Sequence, residues 1–287
     1  MDNIDNNIII VSHSKRIRKL LYDNFENFNI KKKFKNCCIL LLRFNNQRKI
    51  TEIKLIYSGE IDKNENRNMD NYYDNESFNQ LNIISTKLLV PENINIFLIR
   101  HAQGYHNYNN TFFRKVKELI EKKSLSDPQL TEIGKLQSIN CGKFLNRFLN
   151  DNNIEKNKFI FFCSILLRTR ETINNILDQI EQFKSSKDIY VLPCSQEISF
   201  VKGNEKNNIT YGKCNDNINN RILYQCDYVF SKNNFNRNII WKYYTEFKNE
   251  NNNCNDTNMI YQTYIIYSKI INKDIIYIEN LKKKLKI

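Results

Sequence analysis

Three runs of β-branched and aromatic residues are each followed at once by a reactive polar residue and then by a helical pattern. They lie at residues 8–11, 94–99 and 159–162. Continuous apolar runs of this length are typical of strands buried on both faces, and such strands form parallel sheets covered by helices. The pattern therefore predicts an α/β fold around a mainly parallel sheet.

Other segments predict a hairpin, one more strand and a polar connection. Residues 36–44 and 50–57 are expected to be strands that form a hairpin around residues 45–46. Residues 188–192 predict a strand that ends before a proline. Residues 59–82 are almost entirely polar and low in complexity, which predicts a solvated linker or insertion.

Two helices are predicted between these strands. Thr131 is the expected N-cap of the first helix, whose apolar stripe includes Ile133, Leu136 and Phe144. Residues 169–180 carry the second helix, which follows the third apolar run along the chain. Both helices are expected to cover the sheet.

Four basic side chains stand at the predicted ends of the strands. In open α/β sheets, ligands bind just beyond the carboxyl ends of the strands. Two arginines and two histidines near helix N-termini form a pocket suited to a phosphate dianion. The three apolar runs would bring to one edge of the sheet His13, Arg100, His101 and Arg168.

The chain is basic, with a formal net charge of +13 over 287 residues. Its Lys and Arg residues are scattered apart from short runs such as 31–33 and 282–284, and neither run is interleaved with aromatic residues. A solvated basic face is therefore favoured over a nucleic-acid site, and no nucleic-acid partner is expected. A nucleic-acid binder would instead show steeply salt-dependent binding to DNA or RNA.

Cysteine spacing and hydropathy indicate the cellular compartment in which the protein is expected. None of the eight cysteines has C-x-x-C spacing, which argues against zinc and thioredoxin-type sites. The N-terminus shows no secretory signal, and no apolar segment approaches the length of a transmembrane helix. We expect a soluble, cytoplasmic protein with no membrane association.

Four segments resemble the histidine phosphatase superfamily, the phosphoglycerate mutase-like proteins. The segment Arg100-His-Ala-Gln-Gly-Tyr-His-Asn107 is similar to the family's R-H pair with an asparagine six residues after the histidine. Residues 127–137 look like its D-x-x-L-T-x-x-G-x-x-Q, and residues 164–172 look like S-P-L-x-R-T-x-Q-T, with Ile165 where proline is usual. Residues 193–198 look like the segment that carries the acidic proton donor. All four follow the family's order.

The family also needs a second histidine, normally near its C-terminus in a strand that ends V-S-H-G. No histidine follows Asn107, whereas His13 stands in the context Val11-Ser-His. The resemblance therefore implies a circularly permuted phosphoglycerate mutase-like domain, a three-layer αβα sandwich spanning residues 1–287. Residues 1–58 would be the family's C-terminal unit, 59–92 a linker, and 93–287 its N-terminal and central part. This order predicts that residues 3–7 lie near residues 274–287.

The resemblance also implies roles for the site residues. His101 would be the nucleophile that becomes a phosphohistidine. The phosphoryl oxygens would be held by Arg100, Arg168, Asn107 and His13. No metal or other cofactor is implied, because these residues supply the positive charge.

The proton donor to the leaving group is implied to be Glu197, in the segment that resembles the family's acidic one. Glu205 and Asp216 are alternatives. A cysteine phosphatase loop is a rival interpretation of the stretch from Cys163 to Arg168. Only four residues separate these two side chains instead of five, and no glycine frees the backbone amides to cradle phosphate, so the sequence disfavours it.

The function expected from these residues is hydrolysis of a phosphomonoester, either a small phosphorylated molecule or a phosphoprotein. A phosphatase is preferred to a phosphoglycerate mutase-type phosphotransferase, because no segment clearly forms the lid that a mutase needs to exclude water. A catalytically silent module that binds a phosphorylated ligand is the alternative from another class. The intact set of site residues argues against it.

Overall fold

A computed structural model of the chain describes residues 6–22, 28–29, 31–45, 50–59, 72–79, 94–107, 129–156, 159–164, 166–184, 188–192 and 238–240. The strands in this part are β1 (Asn6–Ser12), β2 (Ile39–Phe44), β3 (Ile50–Tyr57), β4 (Ile94–Arg100), β5 (Phe159–Cys163), β6 (Asp188–Val191) and β7 (Asn238–Ile240). The helices are α1 (Ser14–Tyr22), α2 (Asn75–Asn79), α3 (Glu132–Asp151), α4 (Leu167–Leu177) and α5 (Glu181–Lys184). A 3-10 turn spans Tyr105–Asn107. None of the described helices combines the length and the apolar character that a membrane span requires.

The strands form one mixed sheet in the order β3-β2-β4-β1-β5-β6-β7. The first strand of the chain lies inside the sheet, where β1 pairs in parallel with both β4 and β5. β6 and β7 continue the parallel part, whereas β2 runs antiparallel to both β3 and β4. The predicted α/β class, the mainly parallel sheet and the β2–β3 hairpin are confirmed.

Helices cover both faces of the sheet because successive side chains of a strand point to opposite faces. On β1, Ile8 and Ile10 pack in the core cluster that contains the apolar residues of α1. Ile9 and Val11 pack in the other cluster, with residues of α3, α4 and α5. All four side chains are fully buried. A strand enclosed in this way holds the residue that follows it, His13, in a fixed position.

β2 begins later than the sequence pattern predicts. The strand was expected from Asn36, but the backbone turns at Cys37, which has a φ of 59°. Ladder pairing then starts at Ile39, opposite Tyr57 and Ile99. A left-handed residue cannot continue a strand, so the turn sets where β2 starts.

The predicted apolar stripe of α3 is wrong at Leu136, which is 61% exposed. The helix begins as predicted, since Thr131 is the N-cap and its side chain accepts a hydrogen bond from the amide of Gly134. Its first buried positions are polar or small rather than apolar, with Gly134 and Gln137 facing inward. These residues contact a loop of the candidate site, and this contact rotates Leu136 toward solvent.

Part of the segment expected to be a solvated linker is packed into the core. Tyr72, Tyr73 and Phe78 are 5%, 3% and 1% exposed, and α2 forms beside them. For these three aromatic residues the expectation of a solvated segment is therefore wrong, whereas Asp74, Asn75 and Glu76 between them are exposed as expected. The other residues of this segment after Gly59 lie outside the described part of the chain.

Candidate active site

Three strand ends bring two histidines and a serine together. Because β1 lies between β4 and β5, the residues that follow these strands are neighbours. The amide of His101 donates to the carbonyl of Ser12 at 3.0 Å, and the amide of Ser164 donates to the carbonyl of Val11 at 3.1 Å. The hydrogen-bonded ladder thus extends past the strands and fixes the backbone of His101 and Ser164 beside His13.

His13 and His101 face each other edge to face, with ring centroids 5.0 Å apart and ring planes at 61°. Both side chains are buried, at 0% and 2% exposure. Nδ1 of His101 lies 2.7 Å from the carbonyl oxygen of Ala102. A carbonyl only accepts, so Nδ1 carries the proton and Nε2 of the neutral ring keeps its lone pair.

His13 takes the opposite tautomer. Its Nδ1 lies 3.4 Å from Nη2 of Arg168, and its Nε2 lies 2.9 Å from Oγ of Ser164. A guanidinium only donates, so Nδ1 of a neutral His13 accepts and Nε2 donates to the serine hydroxyl. Ser164 therefore fixes which nitrogen of His13 faces Arg168.

Arg168 bridges the two histidines from the first turn of α4. Its Nε donates to Nε2 of His101 at 3.3 Å, in addition to the contact of Nη2 with His13. The side chain is 1% exposed. The helix start that carries it is tied down by Thr169, whose hydroxyl contacts the carbonyls of Ser164 and Leu166 at 2.9 and 2.6 Å. One buried cation thus donates to both rings, an arrangement that suits an anion held between them.

The start of α3 packs directly on the loop after His101. The backbone of Gly134 approaches Gln103 so closely that an added Cβ would lie 2.0 Å from its carbonyl oxygen. The amide of Gln103 donates to Oε1 of Gln137 at 3.0 Å, and Thr131 Oγ1 donates to Gln103 Oε1 at 2.7 Å. The threonine, glycine and glutamine of the segment at residues 127–137 thus all contact this one loop residue.

α4 ties the same loop from the other side. The amide of Ala102 donates to Oγ1 of Thr172 at 3.0 Å, and that hydroxyl donates to the carbonyl of Arg168 at 2.6 Å. Oε2 of Glu171 accepts from the amide of Leu130 at 2.7 Å, just before α3 begins. Three of the four segments that the sequence singled out are therefore joined in one hydrogen-bonded assembly around His101.

Arg100 contacts the loop that precedes β2. Its guanidinium Nη1 donates to the carbonyl of Phe34. Its amide donates to the carbonyl of Cys38 at 3.2 Å, and its carbonyl accepts from the amide of Cys37 at 3.1 Å. Phe34 belongs to the core cluster that contains α1. Arg100, which precedes the candidate nucleophile, is thus held by residues from the N-terminal part of the sequence.

Asn107 stabilises its own turn. Its Oδ1 accepts from the amide of Gly104 at 3.3 Å, and its amide donates to the carbonyl of Gly104 at 2.8 Å. The three candidates for the proton donor, Glu197, Glu205 and Asp216, lie outside the described residues.

Cys163 does not have the character of a nucleophile. Burial raises the pKa of its thiol to about 12, although the positive charge of Arg170 acts in the opposite direction. The side chain is fully buried, and a thiol with such a pKa carries almost no thiolate near neutral pH. The environment of this cysteine thus agrees with the sequence argument against a cysteine phosphatase.

Several residues that build the site were not assigned a role from the sequence. Ser164 binds His13, Thr172 binds the amide of Ala102, and Gln137 binds the amide of Gln103. Each of them lies in a segment that resembles a family motif, so the signal was present in the sequence. Its meaning was not, because these side chains act on atoms 34 to 151 residues away along the chain.

Comparison with known proteins gives one distant similarity. Over 93 residues the chain is 31% identical to phosphoglycerate mutase 3 of Saccharomyces cerevisiae, a stretch that covers 32% of this chain and 27% of that protein. The chain thus spans about a quarter of the length of the curated relative it matches. No family model matches the chain. No solved structure matches it. The similarity points to the histidine phosphatase superfamily, in agreement with the α/β fold and its mixed sheet.

Proposed function

We propose that this chain is a circularly permuted, phosphoglycerate mutase-like enzyme that hydrolyses a phosphomonoester through a phosphohistidine on His101. One observation carries the proposal. Arg168, a fully enclosed cation, donates to Nε2 of His101 and to Nδ1 of His13 at the carboxyl edge of the sheet. Two neutral rings and one guanidinium that converge in this way match the binding of a phosphoryl dianion.

The first step forms a bond from Nε2 of His101 to phosphorus and breaks the bond from phosphorus to the ester oxygen. The lone pair needed for attack is available because the proton resides on Nδ1, which donates to the carbonyl of Ala102. The same hydrogen bond stabilises the positive charge that develops on the ring as the bond forms. Before this attack, Arg168 exchanges its contacts with the two rings for the phosphoryl oxygens, which frees Nε2 of His101.

The leaving alkoxide takes a proton from an acid, for which Glu197 is our first choice and Glu205 and Asp216 are alternatives. Water then attacks phosphorus, returns a proton to that carboxylate and releases orthophosphate, which restores His101. His13 donates to the phosphoryl oxygens from Nδ1 once that nitrogen is protonated, while its Nε2–H stays bound to Ser164. Arg100 and Asn107 donate to the same oxygens. The three carboxylates stay predictions from the sequence alone.

Circular permutation explains the origin of the second histidine. β1 is the first described strand, yet it lies between β4 and β5, where its end supplies His13 to the site. In the proposed arrangement, residues 1–58 are the family's C-terminal unit in a three-layer αβα sandwich, and residues 59–92 bridge the ancestral termini. The expected proximity of residues 3–7 to residues 274–287 concerns chain outside the described residues.

A phosphotransferase of the mutase type is the second candidate, favoured by the similarity to a phosphoglycerate mutase. The two activities differ in the acceptor of the phosphoryl group, which is water in one and a second hydroxyl in the other. Incubation with 3-phosphoglycerate separates them, since a phosphatase releases orthophosphate whereas a mutase yields 2-phosphoglycerate.

The test of the proposal is hydrolysis of an aryl phosphate without added metal by the wild-type protein and by His101→Ala. We expect turnover by the wild type, an acid-labile phosphoenzyme on rapid quenching, and loss of both in the variant. Leu136→Ala serves as the control because its side chain is 61% exposed and outside the site. Turnover that survives in His101→Ala would disprove the mechanism, and phosphate binding without turnover by the wild type would identify a silent binding module.

A further inference from the structure

Residues 72–79, here termed the strap, dock on the loop of residues 28–29 and 31–36 through stacked aromatic rings. The ring of Tyr73 packs against both Phe28 and Phe34, with centroid distances of 5.1 and 5.2 Å and interplanar angles of 15° and 23°. Phe28 and Phe34 also contact each other at 6.4 Å, so the three rings form a triangular cluster. Phe78 meets Phe34 edge-on at 6.0 Å. All four side chains are buried, so the strap and the loop form one packed unit.

Hydrogen bonds from Tyr73 fix the loop at two points. The hydroxyl accepts from the amide of Asn29 at 2.9 Å and donates to the carbonyl of the same residue at 3.2 Å. The amide of Tyr73 donates to the carbonyl of Lys33 at 3.0 Å, and Lys33 also forms an isolated bridge with Tyr72. One residue of the strap thus sets the position of the loop backbone immediately before Phe34.

The opposite side of this loop receives two arginines. The carbonyl of Phe34 accepts from the guanidinium of Arg100, and the carbonyl of Lys32 accepts from that of Arg18 at 3.5 Å. The two cations influence each other, since the pKa of Arg18 is lowered by burial and then by the positive charge of Arg100. Each guanidinium is held by the backbone carbonyl of this loop that it binds.

From this chain of contacts we infer that the strap positions Arg100 for the phosphoryl group, with Tyr73 as a positioning residue. The inference rests on the proposed function. Tyr73 acts through the Lys33–Phe34 peptide and Arg100 and touches neither His101 nor, in this mechanism, the substrate. The segment proposed to bridge the permuted units therefore also tunes the site that the permutation assembles.

A double-mutant cycle tests this inference on the full-length protein, with kcat/KM for an aryl phosphate and inhibition by orthophosphate as readouts. Tyr73→Ala is expected to lower kcat/KM about tenfold, since small displacements of a positioned group cost up to about a hundredfold. In the Arg100→Ala background the same change is expected to cost less than about twofold, because the group it positions is gone. Equal losses in both backgrounds would overturn the inference.

Tyr73→Phe and Phe183→Ala are the controls for the cycle. Tyr73→Phe keeps the stack with Phe28 and Phe34 but loses the two hydroxyl bonds to Asn29, so its activity should lie between those of the wild type and Tyr73→Ala. Phe183 is equally buried in an aromatic cluster on the other face of the sheet, 4.9 Å from Phe159. Its substitution should lower the Tm and have the same effect on activity with or without Arg100.

The cycle has a replacement variant, and two of its outcomes separate this inference from the function on which it rests. If Tyr73→Ala fails to fold, Phe78→Leu replaces it in the same cycle, since it loosens the edge contacts with Phe34 and Tyr73 but keeps an apolar side chain. If the wild type neither hydrolyses the ester nor binds orthophosphate, the proposed function fails and takes the inference with it. If the wild type is active and His101→Ala is not, the proposed function holds. Equal effects of Tyr73→Ala with and without Arg100 would then refute only the inference about the strap.

Discussion

Nε of Arg168 lies 3.3 Å from Nε2 of His101, the ring nitrogen that would attack phosphorus. The guanidinium therefore covers the lone pair of the nucleophile while no phosphoryl group is bound. A bound phosphoryl group must displace His101 from Arg168. The displacement is favourable because an anion attracts a guanidinium more strongly than a neutral ring does. Binding of the substrate thus also frees the lone pair on Nε2 of His101.

The hydrogen bonds predict opposite tautomers for the two histidines. His101 should carry its proton on Nδ1 and His13 on Nε2, since the first donates to Ala102 and the second to Ser164. Long-range ¹H–¹⁵N correlation spectra resolve ring tautomers, and the chain holds only three histidines. The same tautomer on both rings would contradict the bonding described here.

Ser164→Ala should lower activity about tenfold by releasing His13. The substitution leaves Nε2–H of His13 without its buried acceptor, at a cost of about 1–3 kcal/mol. Ser138→Ala is the matched control, since Ser138 is equally buried but bonds within and between the helices α3 and α4. Both variants should lose stability in urea unfolding. Equal activity in the two variants would show that Ser164 does not act on His13.

Gly134→Ala should both destabilise the fold and displace the loop after His101. The added Cβ would lie 2.0 Å from the carbonyl oxygen of Gln103, so either α3 or the loop must move. Overpacking of this kind costs about 1–3 kcal/mol, measured as a lower urea midpoint. Leu136→Ala, two residues along the same helix, is exposed and should leave the midpoint nearly unchanged. An unaltered midpoint in Gly134→Ala would contradict this close approach.

Thr172→Val tests the anchor of Ala102. The change keeps the shape of the side chain but leaves the amide of Ala102 without its acceptor, which costs about 1–3 kcal/mol in a buried position. Activity should fall together with stability, because this amide adjoins the nucleophile. Thr51→Val makes the same replacement at an exposed strand position and should affect neither property. Similar unfolding free energies for the two variants would rule the anchor out.

The free energy of unfolding should fall steadily above about pH 9. Burial raises the pKa of Cys38 and Cys163 to about 12 in the folded protein, from an ordinary value of 9.0. Between these values the unfolded chain has released protons that the folded chain retains, so rising pH favours unfolding by about 1.4 kcal/mol per pH unit for each thiol. Below pH 9 their contribution is fully present.

Urea unfolding at pH 8 to 11 measures this slope. The variants Cys38→Ala and Cys163→Ala should each show a shallower dependence than the wild type over the same range. If neither substitution changes the pH dependence of the unfolding free energy, other titrating groups cause the loss of stability.

Strands were predictable where a run of apolar residues is buried on both faces. β4, which is enclosed in this way, begins where the pattern placed it, at Ile94, and ends one residue beyond the apolar run, at Arg100. Continuous burial leaves a signal that needs no knowledge of the neighbouring strands. Leu136 shows the opposite case, because the orientation of α3 depends on a polar contact between Gln103 and Gln137 that the sequence pattern does not reveal.

The sequence predicted which residues lie together at the candidate site better than it predicted the contacts that they make. The sequence pattern placed His13, His101 and Arg168 at one edge of the sheet, and the structure brings these three side chains together. The position of Arg100 against Phe34 was not predictable, because it depends on a loop held by Tyr73 from a segment of polar composition. Long-range packing of this kind leaves no local periodicity.

The central place of β1 has a consequence for how the chain is made. Its partners lie far along the sequence, since Asn7 and Asn95 are 88 residues apart and His13 and Ser164 are 151 apart. At about 5–20 residues per second, β1 waits roughly 8–30 s after its synthesis before β5 exists. Throughout that time the apolar strand keeps at least the edge that β5 will cover open, which makes the nascent chain a substrate for aggregation or for chaperones. β1 thus precedes both of its partners along the chain and pairs with the second of them only after β5 has been made.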